Sequence, residues 1–250
     1  MITLNTIIYD GNYKDIIGEN SWFINFKSDL VTQKTITINN LSKENRYKLE
    51  SALSNITFID VNEKEVNKVN NIYKLGINSN SIGYYYTIPY FVALNNIKTK
   101  FILNVATDCM QDINIDDNFL KASVLELENN NKCSTTMVAW VKNNKVMSNG
   151  RTIGTHERLE TFNTLNVENI ENKNFDQTFN FTDQFFMGSV YKLKNINYNI
   201  PETESNKIYK GPSYGGNSFE KRIVGYQVNN NVHNYIFKGE NYYIHDGNYF

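Results

Sequence analysis

The run Phe101-Ile102-Leu103-Asn104-Val105-Ala106 limits the fold of this chain more than any other stretch. It is apolar at every position but one and lacks the alternation of a half-exposed strand. A strand of this kind is covered on both faces, as happens inside a parallel sheet flanked by helices. The segments before it supply matching parts. Residues 4–9 read as another buried strand, closed by the turn Asp10-Gly11-Asn12. Residues 35–39 alternate as a strand, Ser42 is placed to cap a helix, and Tyr47, Leu49, Ala52 and Leu53 fall roughly on one face of it. Residues 57–61 read as a third strand and 63–71 as a polar helix. Residues 84–94 form an apolar helical run with Pro89 near its first turn, where proline is tolerated. The order strand, helix, strand, helix, helix, strand predicts an α/β fold.

The second half is less regular. Residues 135–141 predict a strand, 142–145 a turn, and 151–180 a polar, loop-like stretch. Residues 185–193 are apolar, and 200–218, with Pro201, Gly211-Pro212 and Gly215-Gly216, read as a mobile loop. A short helix is expected over 219–228 and a terminal hairpin or strand pair over 233–245. With no internal repeat and no evident linker, the 250 residues are expected to form a single domain.

Charge and cysteine usage exclude several classes. A net charge of -1 argues against general nucleic-acid binding, which needs a clustered positive surface. Cys109 and Cys133 have no metal-binding spacing, and a chain of this size builds a core without disulfides, so a reducing, cytoplasmic setting is expected. No apolar run approaches the roughly 20 residues of a membrane span, and residues 1–9 read as a strand, without the basic start of a signal peptide. The excess of Asn, Ile, Lys and Tyr fits the bias of an AT-rich genome. An aromatic content of 14% suits a core, and equally a site that stacks a base or sugar ring.

Chemistry is expected beyond the carboxyl ends of the strands. Tyr9, Asp10 and Asn12 end the first strand, where a small-residue turn lets a base or ribose approach the backbone. Asp108 follows the most buried strand, a rigid position for a carboxylate that ligates a divalent cation or hydrogen-bonds a ligand. Asp112 is a weaker candidate, and Asp116-Asp117 read as a helix start. Glu220, after Gly215-Gly216, fits a general base on a closing loop, and equally a first-turn residue of a capped helix. Asp183 lies within an aromatic run that suits an acceptor pocket or a helix cap, and His245 is the best ligand among three histidines. Phosphate-loop, dinucleotide, HExxH and Ser-His-Asp patterns are absent.

These segments together, the first strand with its turn, the helix at 83–94 and the stretch Thr99 to Asp108, resemble nucleotide-sugar glycosyltransferases of the GT-A fold, of the bacterial or viral surface-glycan type. The resemblance implies one GT-A-like domain over 1–250, with a Rossmann-like, mostly parallel sheet flanked by helices. Residues 1–112 would bind the nucleotide sugar, and the irregular residues 113–250 would form the acceptor side. It implies a nucleotide-sugar donor, a glycan or glycolipid acceptor, and manganese or magnesium held by Asp108 and His245. The usual Asp-any-Asp motif is incomplete, because Met110 takes its third place. The Gly-Gly…Glu-Asp loop of inverting members is matched by Gly215-Gly216…Glu220, with Lys221 where the partner acid would stand. Direct displacement with Glu220 or Asp183 as base is implied, with Arg151, Arg158 and Arg222 available to neutralise the leaving diphosphate. A nucleotidyltransferase and a non-catalytic carbohydrate-binding protein are the competing readings.

Overall fold

The computed structural model describes residues 1–78, 84–85, 87–107, 115–129, 134–136, 138–142, 145–147, 165–166, 175–178, 185–199, 219, 222–223, 226, 234–237 and 243–246. For the described residues within 136–178 and 234–246 the backbone path alone is described. Strands β1 (Ile2–Ile8), β2 (Val31–Ile38), β3 (Thr57–Asp60) and β4 (Phe101–Val105) are parallel neighbours in the order β3-β2-β1-β4. β10 (Phe185–Ser189) pairs antiparallel with β4 and with β5 (Ser134–Thr136). β11 (Asn234–Phe237) then runs parallel to β5, and β9 (Phe175–Thr178) antiparallel to β11. Among the described residues the result is an eight-stranded, mostly parallel sheet in which β10 and β9 run in reverse.

Helices cover both faces, and the alternation of side chains along each strand assigns them. On one face Ile59, Ile102 and Phe186 pack with Val66 and Val69 of α3 (Glu63–Tyr73), Phe91 and Val92 of α4 (Ile88–Asn96), and Leu193 of α6 (Val190–Lys194). On the other, Leu4, Ile36, Leu103 and Phe185 meet Phe23 of α1 (Trp22–Asn25), Leu49 of α2 (Lys43–Ala52) and Phe119 of α5 (Asp117–Asn129). Each such side chain contributes about 1.5–3 kcal/mol through burial. The uniform burial of β4 follows from this double cover.

A polar ladder fixes the register of the three central strands. Asn5 Nδ2 donates to Asn104 Oδ1 (2.8 Å), while Thr35 and Thr37 hydroxyls donate to Asn5 Oδ1 (2.9 and 3.0 Å). A slip of one residue would turn these groups into the apolar layer on the other face and leave them unpaired, so the ladder selects one alignment.

The structure corrects the sequence expectations at three places and resolves a fourth, the apolar run 185–193, for which no element was expected. β11 and β12 (Tyr243–Asp246) do not form a hairpin. β12 pairs with β6 (Val138–Lys142) in a second sheet, β12-β6-β7-β8, with β7 (Lys145–Met147) and β8 (Leu165–Asn166). The stretch 151–180 contains β8 and β9, each short and recruited by a partner distant in sequence. The apolar run 185–193 is a strand and then a helix, divided where the Ser189 hydroxyl accepts from Lys192 N (3.4 Å). The expected helix 84–94 has its regular part at Ile88–Asn96, with Tyr84 and Tyr85 in a separate helical turn.

Candidate functional site

β1 has β2 on one side and β4 on the other, so the chain leaves β1 in one direction and returns across it in the opposite one. The connections above the two strands diverge there, and this switch point is where open α/β sheets form their ligand crevice. The turn after β1 is tied to both sides of it. Asn12 Oδ1 accepts from Tyr9 N (2.8 Å), and Asn12 Nδ2 donates to Thr107 Oγ1 (3.0 Å), two residues beyond the end of β4. On the other side Asp10 Oδ1 accepts from Ser42 N (2.8 Å) and Asn45 Nδ2 (3.0 Å) at the start of α2. Asn39, after β2, donates from Nδ2 to the Tyr85 carbonyl (3.2 Å), which brings the Tyr84-Tyr85 turn to the same edge. Tyr9 and Tyr85 are each about half exposed, and the rings of Tyr84 and Tyr85 meet edge to face at 5.5 Å. The edge therefore offers aromatic surface and amide groups, held in place by side-chain hydrogen bonds between loops.

Asp10, expected among the ligand-binding residues, is engaged at the start of α2. Its carboxylate lies at the N-terminus of α2, where a helix favours an anion, and two donors occupy one oxygen. The hydrogen bond from Ser42 N, and next that from Asn45, hold its pKa below the ordinary carboxylate value. Asp10 is an N-terminal anchor for α2. At Gly11 the ring of Tyr9 lies against the side of the α-carbon where a Cβ would stand. Asp116 is the helix cap that was expected, accepting from Phe119 N (2.8 Å).

Asp108, Asp112, Asp183, Glu220, Arg151 and Arg158 lie outside the described residues. Asp108 directly follows Thr107, whose hydroxyl Asn12 holds. His245 is placed by its backbone alone: it pairs with Trp140 in the second sheet, whereas Asp108 follows a strand of the first. Among the described residues no three His, Cys, Asp or Glu side chains gather as a metal site.

Arg222 corrects a further expectation. It is 4% exposed, with its guanidinium donating to the carbonyls of Tyr198 and Leu75 (the latter at 2.7 Å). Burial pushes its pKa down to about 10. Phe219, Arg222 and Ile223 are buried at helical spacing, so Arg222 faces the core and is not placed to meet a leaving group in the crevice. Phe219 stacks on Tyr90 at 5.0 Å.

A cavity of about 330 Å³ lies at the opposite end of the sheet, lined by Ile24, Val31, Lys34, Leu53, Asn55 and Ile56 among others. Lys34 donates there to the carbonyls of Phe23 and Ile24 (2.7 and 2.8 Å), closing the end of α1 as a C-terminal lysine does. That end of the sheet lacks the divergent loops of a switch point, and size alone does not make the cavity the site.

Asn39 and Tyr85 were not singled out from the sequence. They stand 46 residues apart, and no local pattern pairs them.

No protein-family model and no curated protein sequence matches the chain. Among solved structures, the galactosyltransferase LgtC in complex with donor and acceptor sugar analogues aligns with a TM-score of 0.40 and 12% identity, over 92% of this chain and 70% of that one. Residues 1–349 of TarS from S. aureus align with a TM-score of 0.45 and 13% identity, over 98% and 60%. The bifunctional glycosyltransferase WbbM gives 0.44 and 14%, over 89% and 36%. These scores are too low to establish a common fold, and the architecture rests on the strand pairings given above. Among the described residues no helix is long and apolar enough to cross a membrane.

Proposed function

We propose that the chain is a glycosyltransferase that takes a nucleotide-sugar donor in the crevice above β1 and β4. The observation that carries this reading is the Asn12–Thr107 bridge across the switch point, with the half-exposed Tyr9 ring beside it. A planar base or a sugar ring is the ligand that such an aromatic surface recognises, through stacking. The residue next to Thr107 in the sequence is Asp108, and its carboxylate is assigned in this reading to the sugar-diphosphate end of the donor.

In the proposed reaction a hydroxyl oxygen of a glycan or glycolipid acceptor bonds to the anomeric carbon of the donor. The bond from that carbon to the diphosphate oxygen breaks, its electron pair leaves with the nucleoside diphosphate, and the configuration inverts. Glu220, or Asp183 in its place, takes the hydroxyl proton. Because Arg222 is committed to the core, Arg151 and Arg158 are the arginines left from the earlier set to offset the growing charge on the diphosphate.

A thermal-shift screen against UDP-, GDP- and CMP-sugars, each with and without manganese, tests the reading, since a ligand selective for the folded state raises the melting temperature. A shift specific to one nucleotide supports it, and the manganese arm shows separately whether a cation takes part. A shift with free sugars and with no nucleotide would replace the transferase with a carbohydrate-binding protein.

A further inference from the structure

Gly11 is exposed, and its φ lies outside the left-handed region that favours glycine, so the backbone does not require glycine there. The space around it does. A Cβ on Gly11 would stand 3.1 Å from Tyr9 Cδ2 and 3.4 Å from Cζ, and nearer to Cε2 than real Cβ atoms come. The ring thus occupies the volume of the missing methyl group. We infer that Gly11 is a positioning residue: its bare α-carbon is the seat that fixes the Tyr9 ring, with the other part of the ring open at the crevice. This rests on the nucleotide-binding reading above and adds a residue that touches no substrate.

Two observations make the seat more than an accident of a surface turn. The Tyr9 backbone is pinned, since its N–H donates to Asn12 Oδ1 and its carbonyl accepts from both Asn12 N and Tyr13 N (3.1 Å each). The side-chain torsions remain, and contact of the ring with the bare α-carbon favours one setting of them. A ring held before the ligand arrives loses less entropy on binding than one that must be ordered. An alanine at position 11 is compatible with the backbone but not with the ring, which must swing away while the fold stays intact.

The experiment combines a ligand-free readout with a double-mutant cycle. One α-hydrogen of Gly11 points where the Cβ would be, so its NMR shift carries the ring current of Tyr9 and moves in Tyr9→Ala. Binding of the nucleotide found in the screen is then titrated in Gly11→Ala, Tyr9→Ala, the double variant and Tyr9→Phe. Gly11→Ala and Tyr9→Ala are each expected to weaken binding about tenfold, the scale of losing one stacked base. Gly11→Ala adds nothing in the Tyr9→Ala background, because it acts only through the ring. Tyr9→Phe keeps the ring and stays close to wild type. Additive losses in the double variant, or a Gly11→Ala protein that binds as wild type while Tyr9→Ala does not, overturn the positioning role. A Gly11 proton unaffected by Tyr9→Ala overturns the seat alone. Wild-type protein with the proton shift intact but no affinity for any nucleotide overturns the proposed function, and this role with it.

Discussion

The two ends of the central sheet are built from the same strands and handle their polar groups differently. At the carboxyl end, Asn12, Asp10 and Asn39 each join segments distant in sequence: Asn12 reaches Thr107, Asp10 reaches α2, and Asn39 reaches Tyr85. At the amino end, Lys34 closes the last carbonyls of a short helix beside a cavity of about 330 Å³ with several apolar walls. The cavity thus lies at the end with no switch point. Loops that diverge above β1 and β4 must satisfy their own polar groups, and the side chains that do so define a rigid edge. A cavity left between helix ends and a strand satisfies packing and carries no such arrangement.

The sharpest break in this comparison would come from moving chemistry from one end to the other. Asp108→Asn is expected to lower sugar transfer by about 100-fold, the scale of losing one well-placed polar group at a reacting centre. Lys34→Met, at the other end, leaves transfer within about twofold. Initial rates with the donor found in the thermal screen decide it, and the reverse ranking would move the site to the amino end.

A smaller effect is expected of Asn12→Ala, which removes the hydrogen bonds to Tyr9 N and Thr107. Two bonds of about 0.5–1.5 kcal/mol each make a loss of roughly 1–3 kcal/mol. Thermal melting then falls by about 2–4 °C for each kcal/mol lost in a chain of this size. If nucleotide affinity is unchanged in this variant, the bridge is structural and the crevice lies elsewhere on the edge.

The smallest effect concerns Asp10 and acid. Its folded-state pKa is depressed below the ordinary value of 3.8, so the charged form is favoured by folding. The folded state therefore holds its proton less tightly than the unfolded chain does. The stabilisation is complete above the ordinary value and is lost as pH falls through the lower, folded-state value. Urea midpoints of wild type and Asp10→Asn should converge as pH drops from about 6 toward about 3. A gap independent of pH would mean that charge plays no part in the anchor, and a loss of nucleotide binding at neutral pH would return Asp10 to the ligand site.

How far the sequence could be read differs along the chain. The strands near 4–9 and 101–106 were legible because double burial leaves an apolar signature, 35–39 because it alternates, and 57–61 because it is a short run set between two helical stretches. Ser42 was legible as a cap, and its hydroxyl accepts from Asn45 N (3.3 Å). β8 and β9 were not, since two and four residues carry no periodicity and form only because a distant partner strand is there. Residues 10–12 were legible as a turn at the carboxyl end of β1, but the partners of its side chains were not. Asp10 has the residue type and position of a ligand-binding carboxylate, and its commitment to α2 depends on where the chain returns 32 residues later.

By itself, the sequence determined the class of fold and the edge on which to look, because apolar periodicity and capping are local and act wherever the segment lies. Tertiary structure alone decided which polar groups were left for chemistry. Arg222 was withdrawn into the core by carbonyls 24 and 147 residues away, and Asn12 was brought to Thr107 across 95 residues. A hydrogen bond between loops depends on where two strands end in space, and no pattern within either segment records that distance.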